Sequence, residues 1–322
     1  MQEKLVRAYA KINWCIDVLG KRPDGYHEVA MVMQLIDLFD RVRITLEPEG
    51  KPGIHLTTNR HYLPTNENNL AYRAAESLLG KNACSVHIHL EKRIPVAAGL
   101  AGGSSNAAAV LLGLNQLASS CLGIPERSME ELLELGAALG ADVPFCIMGQ
   151  AALDPTLVPS PCTIPLSTCV IATGIGEVLT PIKGLDAWIV LSKPSKGVST
   201  AKVYGALDLT GIKAHPNLAE LVSGLEKHNF LKLKKNMINV LENATLTMYP
   251  VIVYTKNKME EFRPVKVLMS GSGPTVFGVY QSRKLAESAF RGMKCIHRDT
   301  YLVRTKVAFE DYSAGVNQQQ QQ

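Results

Sequence analysis

The sequence predicts a mixed α+β fold with two lobes. Segments 42–46 and 86–90 alternate apolar and polar residues, as expected of half-buried strands. Helical segments occur among such strands in no strict alternation, which favours meandering strands covered on one side over a doubly wound parallel sheet. The chain has 322 residues, more than one small core usually organises, so two domains are expected.

The remaining elements follow from hydrophobic spacing and flanking turn residues. Apolar residues at helical spacing predict helices over 70–79, 105–118, 128–139, 216–225 and 230–246. Further strands are predicted over 88–94 and 188–191. A strand, a turn, a second strand and a final helix are expected after these elements.

We place the domain boundary near Leu185, which gives a first domain over 1–185 and a second over 186–312. Four prolines interrupt the segment 154–170, so it cannot be one regular helix or strand and is predicted as a surface insert. The glutamine-rich end, 313–322, is predicted to be a disordered tail.

Composition excludes several classes of protein. Hydrophobic residues make up 46% and charged residues 20%, which indicates neither a disordered chain nor a membrane protein. The formal net charge is only +5, and the basic residues are not expected to form a continuous face. No nucleic-acid partner is therefore expected. Lysines concentrated in 227–235 are predicted to lie on a solvated helix face.

The cellular setting is predicted from cysteine spacing and from the amino terminus. The seven cysteines include no C-x-x-C pair, which indicates reduced thiols. No targeting segment is recognised in the first residues, so a cytoplasmic location is expected. His87 and His89 share one face of a predicted strand and are expected to face solvent rather than a metal.

The strongest functional indication is a glycine-rich loop at 95–106, with the sequence PVAAGLAGGSSN, directly before an apolar helical run. Glycines let the backbone approach an anion, and the first amides of a helix point toward it. Ser104 and Ser105 are expected to add hydroxyl donors. The loop lacks the lysine of a Walker A motif and the spacing of a dinucleotide-binding fingerprint. The alternative is a tight turn whose glycines serve packing alone.

The loop resembles the second motif of the GHMP kinases, a family of galacto-, homoserine, mevalonate and phosphomevalonate kinases. Two further segments match in the expected order. AYAKIN at 8–13, continued by GKRPDGYHE at 20–28, resembles the first motif, and LMSGSGPTVF at 268–277 resembles the third. Three ordered motifs are more specific than one loop, and the resemblance covers roughly 4–310.

This resemblance implies the two-lobed GHMP kinase fold, with a ribosomal-S5-like amino-terminal lobe and a ferredoxin-like carboxy-terminal lobe. The run RPDGYH at 22–27 is typical of the branch that phosphorylates the 2-hydroxyl of a cytidine-diphosphate-linked methylerythritol in non-mevalonate isoprenoid synthesis. ATP and Mg²⁺ are the implied cofactors, and no carboxylate pair identifies the magnesium ligands. The implied partners are small molecules, with no membrane and with a monomer or homodimer as the assembly.

The catalytic residues implied by the resemblance are Lys11 and Asp142. Asp142 would accept the proton of the acceptor hydroxyl, and Lys11 would stabilise the developing charge. From the residues alone, Lys11 could instead be a strand lysine that extends to water, and Asp142 an N-cap before a proline-opened helix.

The binding residues are also carried over by resemblance. Those expected to bind ATP are Pro95, Gly99, Leu100, Ala101, Gly102, Gly103, Ser104, Ser105, Asn106, Gly271, Ser272 and Gly273. Those expected to bind the substrate are Asn13, Tyr26, His27, Thr200 and Tyr204. Asn13 would meet the methylerythritol hydroxyls and Tyr26 would stack on cytosine, while Tyr204 could instead be a core tyrosine of the second lobe.

The chain departs from the family at two places, Gln150 and the insert 154–170, where small residues and a direct continuation are usual. Both are expected to disturb the geometry beside the active-site helix. Three other functions stay open: a kinase for another small alcohol, a catalytically silent nucleotide-binding regulator, and an S5-like RNA-binding module.

Overall fold

The structure is a computed structural model that describes residues 2–80 and 84–310. Its helices are α1 (Leu70–Leu79), α2 (Gly102–Leu122), α3 (Met129–Leu139), α4 (Val143–Leu153), α5 (Thr200–Ala206), α6 (Leu218–Glu226), α7 (Phe230–Asn236), α8 (Glu242–Met248), α9 (Pro250–Glu260) and α10 (Arg283–Ile296). Its strands are β1 (Gln2–Lys21), β2 (His27–Glu47), β3 (Gly53–Thr58), β4 (Ser85–Glu91), β5 (Leu166–Ser167), β6 (Cys169–Thr173), β7 (Val178–Ile182), β8 (Trp188–Lys193), β9 (Lys266–Met269), β10 (Val276–Tyr280), β11 (Asp299–Arg304) and β12 (Phe309–Glu310). The predicted tail, 313–322, lies outside the described residues.

The first sheet has the order β3-β4-β2-β6-β7, and β1 pairs with β2 as a long antiparallel ribbon. Helix α2 packs on this ribbon and also contacts α1 and α4, so it lies at the centre of the first core. Its residues 107–112 are apolar around the whole helix, and all are fully buried. The ribbon therefore holds the beginning of α2 close to the middle of β1.

The second sheet has the order β11-β8-β10-β9 and is antiparallel throughout. Helix α10 packs on β8 and β11 through buried Ala286, Ala289 and Met293, which recur at helical spacing. The two sheets and their helices confirm the predicted α+β class. The proposed domain boundary near Leu185 falls between β7 and β8 and stays a prediction.

Several predicted bounds need correction. The prediction of a single helix over 230–246 is wrong, because the chain is not helical between the end of α7 and the beginning of α8. There Ile16 forms backbone bonds to two residues: its N–H donates to Ile238 O at 2.9 Å, and its carbonyl accepts the Val240 N–H at 3.0 Å. Pairing with β1 therefore replaces helical bonds. The strand expected to continue through Ile94 ends at Glu91.

The insert is partly as predicted. Residues 154–165 are irregular apart from the 3₁₀ turn Pro155–Leu157, and most of them are at least partly exposed. The prediction is wrong for 166–170, where Leu166 and Val170 are fully buried. Val170 lies in β6 opposite Met33 of β2, so this end of the insert belongs to the first sheet.

Two further expectations concern the surface. His87 and His89 lie on the exposed face of β4, as predicted. Within the described ranges, no cluster of three or more histidine, cysteine, aspartate or glutamate side chains could hold a metal ion. The same residues include no helix long and apolar enough to cross a bilayer.

Candidate active site

A cavity of about 1050 Å³ collects the sequence motifs. Its walls come from β1, the beginning of β2, the loop 95–101, the first turn of α2, the turn between α3 and α4, helix α5 and the turn after β9. These segments are distant in sequence, and the strands of the first sheet bring most of them together. The cavity is therefore the candidate active site.

The first turn of α2 presents free amides to this cavity. The N-cap Ala101 has a left-handed backbone, with φ of 55°, and provides no side-chain cap. The Ser105 N–H bonds to Ala101 O at 2.8 Å, so the amides of 102–104 precede the first intrahelical bond. Residues 102–104 line the cavity. Their N–H groups and the positive end of the helix dipole form an anion-binding site.

The third motif packs against this loop backbone to backbone. Gly99 has a φ of +72°, and a Cβ there would lie 2.1 Å from Ser270 O. The Ser270 hydroxyl donates to Gly99 O at 2.9 Å. Gly271 and Ser272 line the cavity, and their contact with ATP stays a prediction. Glycine at position 99 is therefore required by both its conformation and the close approach of the two loops.

Gly273 does not line the cavity, contrary to the prediction that it contacts ATP. Its N–H donates to Ser270 O at 2.9 Å. A Cβ at this position would meet the Met269 sulfur at 2.6 Å. Gly273 therefore closes the turn of the third motif against the protein interior.

Lys11 and Asp142 meet at the cavity although 131 positions separate them in the sequence. The Lys11 Nζ lies 3.6 Å from Asp142 Oδ2 and donates to Asn13 Oδ1 at 2.8 Å. The Lys11 side chain is only 5% exposed, so the alternative of a lysine extending to water is wrong. The register of β1 and β2 shifts between Tyr9 and Lys11, and the Lys11 N–H bonds to Leu100 O at 3.2 Å instead.

Asp142 occupies the N-cap position of α4 but forms no side-chain capping bond. The N-cap alternative therefore describes its place in the chain but not the use of its carboxylate. Asp142 is also the one carboxylate among the described residues that line the cavity. A carboxylate free of capping, beside a buried ammonium, can accept a proton from a bound hydroxyl.

Asn13 has more hydrogen-bond partners within the protein than the prediction of a substrate-binding residue implies. Its Oδ1 accepts from Lys11 Nζ at 2.8 Å and from the Gly271 N–H at 3.1 Å, and its Nδ2 lies 3.3 Å from the Met31 sulfur. Asn13 lines the cavity but is fully buried. It orients Lys11 and the third motif, and its contact with substrate hydroxyls stays a prediction.

The far wall of the cavity is aromatic. Tyr26 is 60% exposed, and the rings of His27 and Tyr204 are 5.1 Å apart at an interplanar angle of 38°. Burial, together with the charge of Asp142, raises the pKa of Tyr204 to about 12. Tyr204 thus lines the cavity from α5 rather than lying in the core of the second lobe. Thr200 also belongs to α5, and its hydroxyl lies 2.8 Å from that of Ser272.

Ser105 does not supply the hydroxyl donor that was predicted. Its Oγ donates to Tyr9 O at 2.7 Å, its N–H is taken by Ala101 O, and its side chain is fully buried. Ser105 does not line the cavity, whereas Ser104 does. Because both donors of Ser105 are satisfied within the protein, this part of the prediction is wrong.

The prediction missed a buried ion pair beneath the loop, Asp40 with Lys92. Asp40 Oδ1 accepts the amides of Arg93 at 2.6 Å and Ile94 at 2.8 Å, and its Oδ2 accepts from Lys92 Nζ and from Asn106 Nδ2. Lys92 also donates to Asn106 Oδ1 at 2.7 Å, and burial lowers the pKa of Lys92. Asn106 also lines the cavity, and its contact with ATP stays a prediction, although both polar atoms of its side chain bond within this cluster. The sequence feature that could have indicated this ion pair is an aspartate inside an apolar strand.

The other residues predicted to bind ATP also lie at the cavity, and their roles stay predictions. Pro95, Leu100 and Ala101 line the cavity together with the glycines of the loop. Gln150, the other departure from the family, is buried in α4 and bonds to Ser105 through its Nε2. None of the residues 154–170 lines this cavity. The insert therefore does not occupy the candidate active site.

Comparison with known proteins identifies the class of this cleft. Residues 69–150 match the GHMP kinases N terminal domain, and residues 213–298 match the GHMP kinases C terminal domain. Together with the relatives described next, these matches show that the chain belongs to the GHMP kinase family.

The curated relatives narrow the class further. A 4-diphosphocytidyl-2-C-methyl-D-erythritol kinase of Alkaliphilus metalliredigens is 45% identical over 308 residues, covering 95% of this chain and 97% of that protein. A protein of the same name from Geobacillus kaustophilus is 42% identical, covering 93% and 96%.

Solved structures agree with the assignment to the GHMP kinase family. A crystal structure of 4-(cytidine 5'-diphospho)-2C-methyl-D-erythritol kinase superposes with a TM-score of 0.72 at 30% identity, covering 94% of this chain and 99% of that one. The mevalonate kinase of L. major, at 13% identity and a TM-score of 0.65, shares the fold.

Proposed function

We propose that this chain transfers the γ-phosphoryl group of ATP to the 2-hydroxyl of 4-diphosphocytidyl-2-C-methyl-D-erythritol, giving the 2-phosphate and ADP. The reaction would serve the non-mevalonate synthesis of isoprenoid precursors. One observation carries the proposal: Lys11 Nζ and Asp142 Oδ2 lie 3.6 Å apart in a cavity that also contains the free amides of α2 and the aromatic wall. The names of the relatives support the same substrate.

The chemistry assigned to each group follows from its position. The amides of 102–104 hold the phosphates of ATP, because they lack intrahelical acceptors and lie at the positive end of α2. Asp142 accepts the proton of the 2-hydroxyl while the oxygen of that hydroxyl attacks the γ-phosphorus of ATP. The Lys11 ammonium stabilises the negative charge that develops between these two groups. Asn13 keeps Lys11 in place through its 2.8 Å hydrogen bond.

Magnesium is compatible with these residues but is not held by a preformed cluster. Mg²⁺ commonly binds through one or two carboxylates, water and substrate phosphates. Asp142 is the carboxylate available among the described lining residues, and Ser104 is a hydroxyl that also lines the cavity. When bound with ATP, the ion would neutralise charge on the phosphates.

The cytidine is proposed to bind at the wall formed by Tyr26, His27 and Tyr204. Exposed Tyr26 offers an aromatic face for stacking, and the His27 ring can bond the edge of a base. A homoserine or mevalonate substrate has no base, so this wall favours the cytidine-linked alcohol. All seven cysteines are free thiols, which suits the cytoplasmic location that we retain as part of the proposal.

An ADP-release assay with three alcohols tests the proposal. The cytidine-linked methylerythritol is expected to be phosphorylated, while homoserine and mevalonate are not. Asp142→Asn should lower kcat by about 10²–10⁴-fold, the usual contribution of a general base. It should leave the affinity for ATP measured without magnesium nearly unchanged, because the amides of α2 are untouched.

Tyr26→Ala tests the cytidine wall in the same assay. Stacking on one base contributes about 1–3 kcal/mol, so the KM of the cytidine-linked substrate should rise by roughly 5- to 150-fold with little change for ATP. Tyr254→Ala is the matched control, because Tyr254 is 49% exposed on α9 and does not line the cavity. Equal loss of ATP affinity in Asp142→Asn and Tyr26→Ala would contradict the assignment. ADP release with homoserine or mevalonate alone would favour a kinase for another small alcohol.

A further inference from the structure

A chain of buried hydrogen bonds joins the three elements that carry the proposed catalytic groups. Gln150 Nε2 donates to Ser105 O at 3.0 Å and to Ser105 Oγ at 3.1 Å. The Ser105 hydroxyl in turn donates to Tyr9 O at 2.7 Å. Gln150 is 1% exposed and Ser105 is fully buried, so water does not compete for these bonds.

We call this chain of hydrogen bonds from Gln150 through Ser105 to Tyr9 the relay. Each of its three residues lies on an element that also carries a group of the site. Tyr9 lies two positions before Lys11 in β1, and Ser105 directly follows the free amides of α2. Gln150 lies on α4, eight residues after Asp142, which corresponds to about 12 Å along a helix. A shift of α4 at Gln150 would therefore move Asp142 relative to the phosphate loop.

The donor pattern leaves one orientation for the Gln150 amide. Ser105 O is an acceptor, and Ser105 Oγ has already given its proton to Tyr9 O, so both require a donor. The Gln150 NH₂ group meets both requirements, and its Oε1 is left without a hydrogen-bond partner among the described residues. An oxygen without such a partner offsets part of the stability that the two donated bonds contribute.

We infer that Gln150 and Ser105 are positioning residues for phosphoryl transfer. Their relay fixes α4, and with it Asp142, against the first turn of α2 and against the strand that carries Lys11. This inference rests on the proposed function, because it gives Asp142 and Lys11 their catalytic roles. Neither Gln150 nor Ser105 lines the cavity, so they act through the groups that they hold.

Gln150→Met separates a positioning role from a structural one. Methionine has a similar length and removes both donated bonds together with the unpaired oxygen. Removing one partner of buried hydrogen bonds costs about 1–3 kcal/mol, and the loss of the unpaired oxygen offsets part of that cost. We expect a melting temperature lowered no more than in the control variant below, but a kcat of the folded protein at least about tenfold lower than wild type, because small misplacements of catalytic groups are expensive. The KM for ATP should stay within about threefold, since the amides that bind the phosphates remain.

Asn115→Leu is the matched control. Asn115 lies further along α2, is buried, and also holds two bonds to one neighbour, Arg127 O at 3.0 Å and the Arg127 N–H at 2.9 Å. It connects α2 to the segment before α3, away from the cavity. This variant should lose stability but retain the kcat of its folded fraction.

Ser105→Ala and the double variant with Gln150→Met complete the test. Because Gln150 can still donate to the backbone Ser105 O in Ser105→Ala, the double variant should lose more kcat than Ser105→Ala but less than the product of the two single losses. Multiplied losses in the double variant would overturn the relay. So would a wild-type kcat in Gln150→Met, or a kcat loss in Asn115→Leu equal to that in Gln150→Met. In each case an inactive Asp142→Asn leaves the proposed function standing, whereas full turnover by Asp142→Asn removes both.

Discussion

Replacing Lys92 with methionine should reveal the energetic role of the ion pair beneath the phosphate loop. Asp40 is fully buried, and its carboxylate accepts from Lys92, from Asn106 and from two backbone amides. The substitution removes the counter-charge and leaves the carboxylate in the interior. Breaking a buried ion pair on one side costs about 3–5 kcal/mol.

The cost has an upper limit, because the stranded carboxylate can take up a proton. Protonating an aspartate with an ordinary pKa of about 3.9 costs about 4 kcal/mol at pH 7. The free energy of unfolding of Lys92→Met should therefore be about 3–4 kcal/mol lower than that of the wild type at pH 7. At pH 5 the same limit is only about 1.5 kcal/mol.

The sign follows from proton linkage. In Lys92→Met, burial without a counter-charge raises the folded-state pKa of Asp40 above its unfolded value, so the folded state binds the proton more readily. The stability lost by the variant should therefore shrink as the pH falls from 7 to 5. Urea denaturation followed by circular dichroism at both pH values measures this difference.

A double variant isolates the charge. In Asp40→Asn, Lys92→Met the introduced amide oxygen can still accept the amides of Arg93 and Ile94, and no charge is buried. We expect it to be more stable than either single variant, with a coupling free energy of about 2–3 kcal/mol. Additive losses, or a loss in Lys92→Met that does not change between pH 7 and pH 5, would refute this account of the cluster.

Two further substitutions probe the loop and the second lobe. Gly99→Ala should raise the KM for ATP by at least about tenfold in the ADP-release assay, because its Cβ would lie 2.1 Å from Ser270 O. Gly123→Ala, with a φ of +66° and open space around it, should cost only the backbone strain of about 1–2 kcal/mol, and equal effects on the KM would contradict the steric argument. Burial lowers the pKa of His297, so the unfolded state binds its proton more readily and wild-type stability should fall as the pH drops below about 6.5. His297→Gln should weaken that fall in urea denaturation, whereas His61→Gln at an exposed site should not.

Local sequence patterns were sufficient where an element is decided by its own residues. Helix α1 has the predicted bounds because Asn69 accepts the Ala71 N–H and Gly80 ends the helix. Helix α3 begins after Ser128, whose capping box with Glu131 is visible in the sequence. The motifs were also sufficient to bring Lys11, Asp142 and the phosphate loop into one hypothesis.

Positions decided by tertiary contacts could not be predicted in this way. The break between α7 and α8 depends on pairing with Ile16 in a distant strand. The hydroxyl of Ser105 would be free in an isolated loop, but Tyr9 O lies within 2.7 Å of it in the folded chain. A motif therefore specified which residues form the loop, while burial specified which of them can still reach a ligand.

The charge distribution explains why backbone groups carry so much of this site. Of the three lysines that line the cavity among the described residues, Lys11 and Lys92 each lie beside a carboxylate, Asp142 and Asp40, while the backbone of Lys21 pairs with that of His27 at the aromatic wall. Each pair adds little net charge, so neither lysine can by itself account for attraction of a nucleotide's phosphates. The first amides of α2 have no such partner within the helix, and their dipoles point into the cavity. Phosphate binding should therefore depend mainly on the backbone conformation of 99–104, and side-chain substitutions should act on it chiefly by moving that backbone.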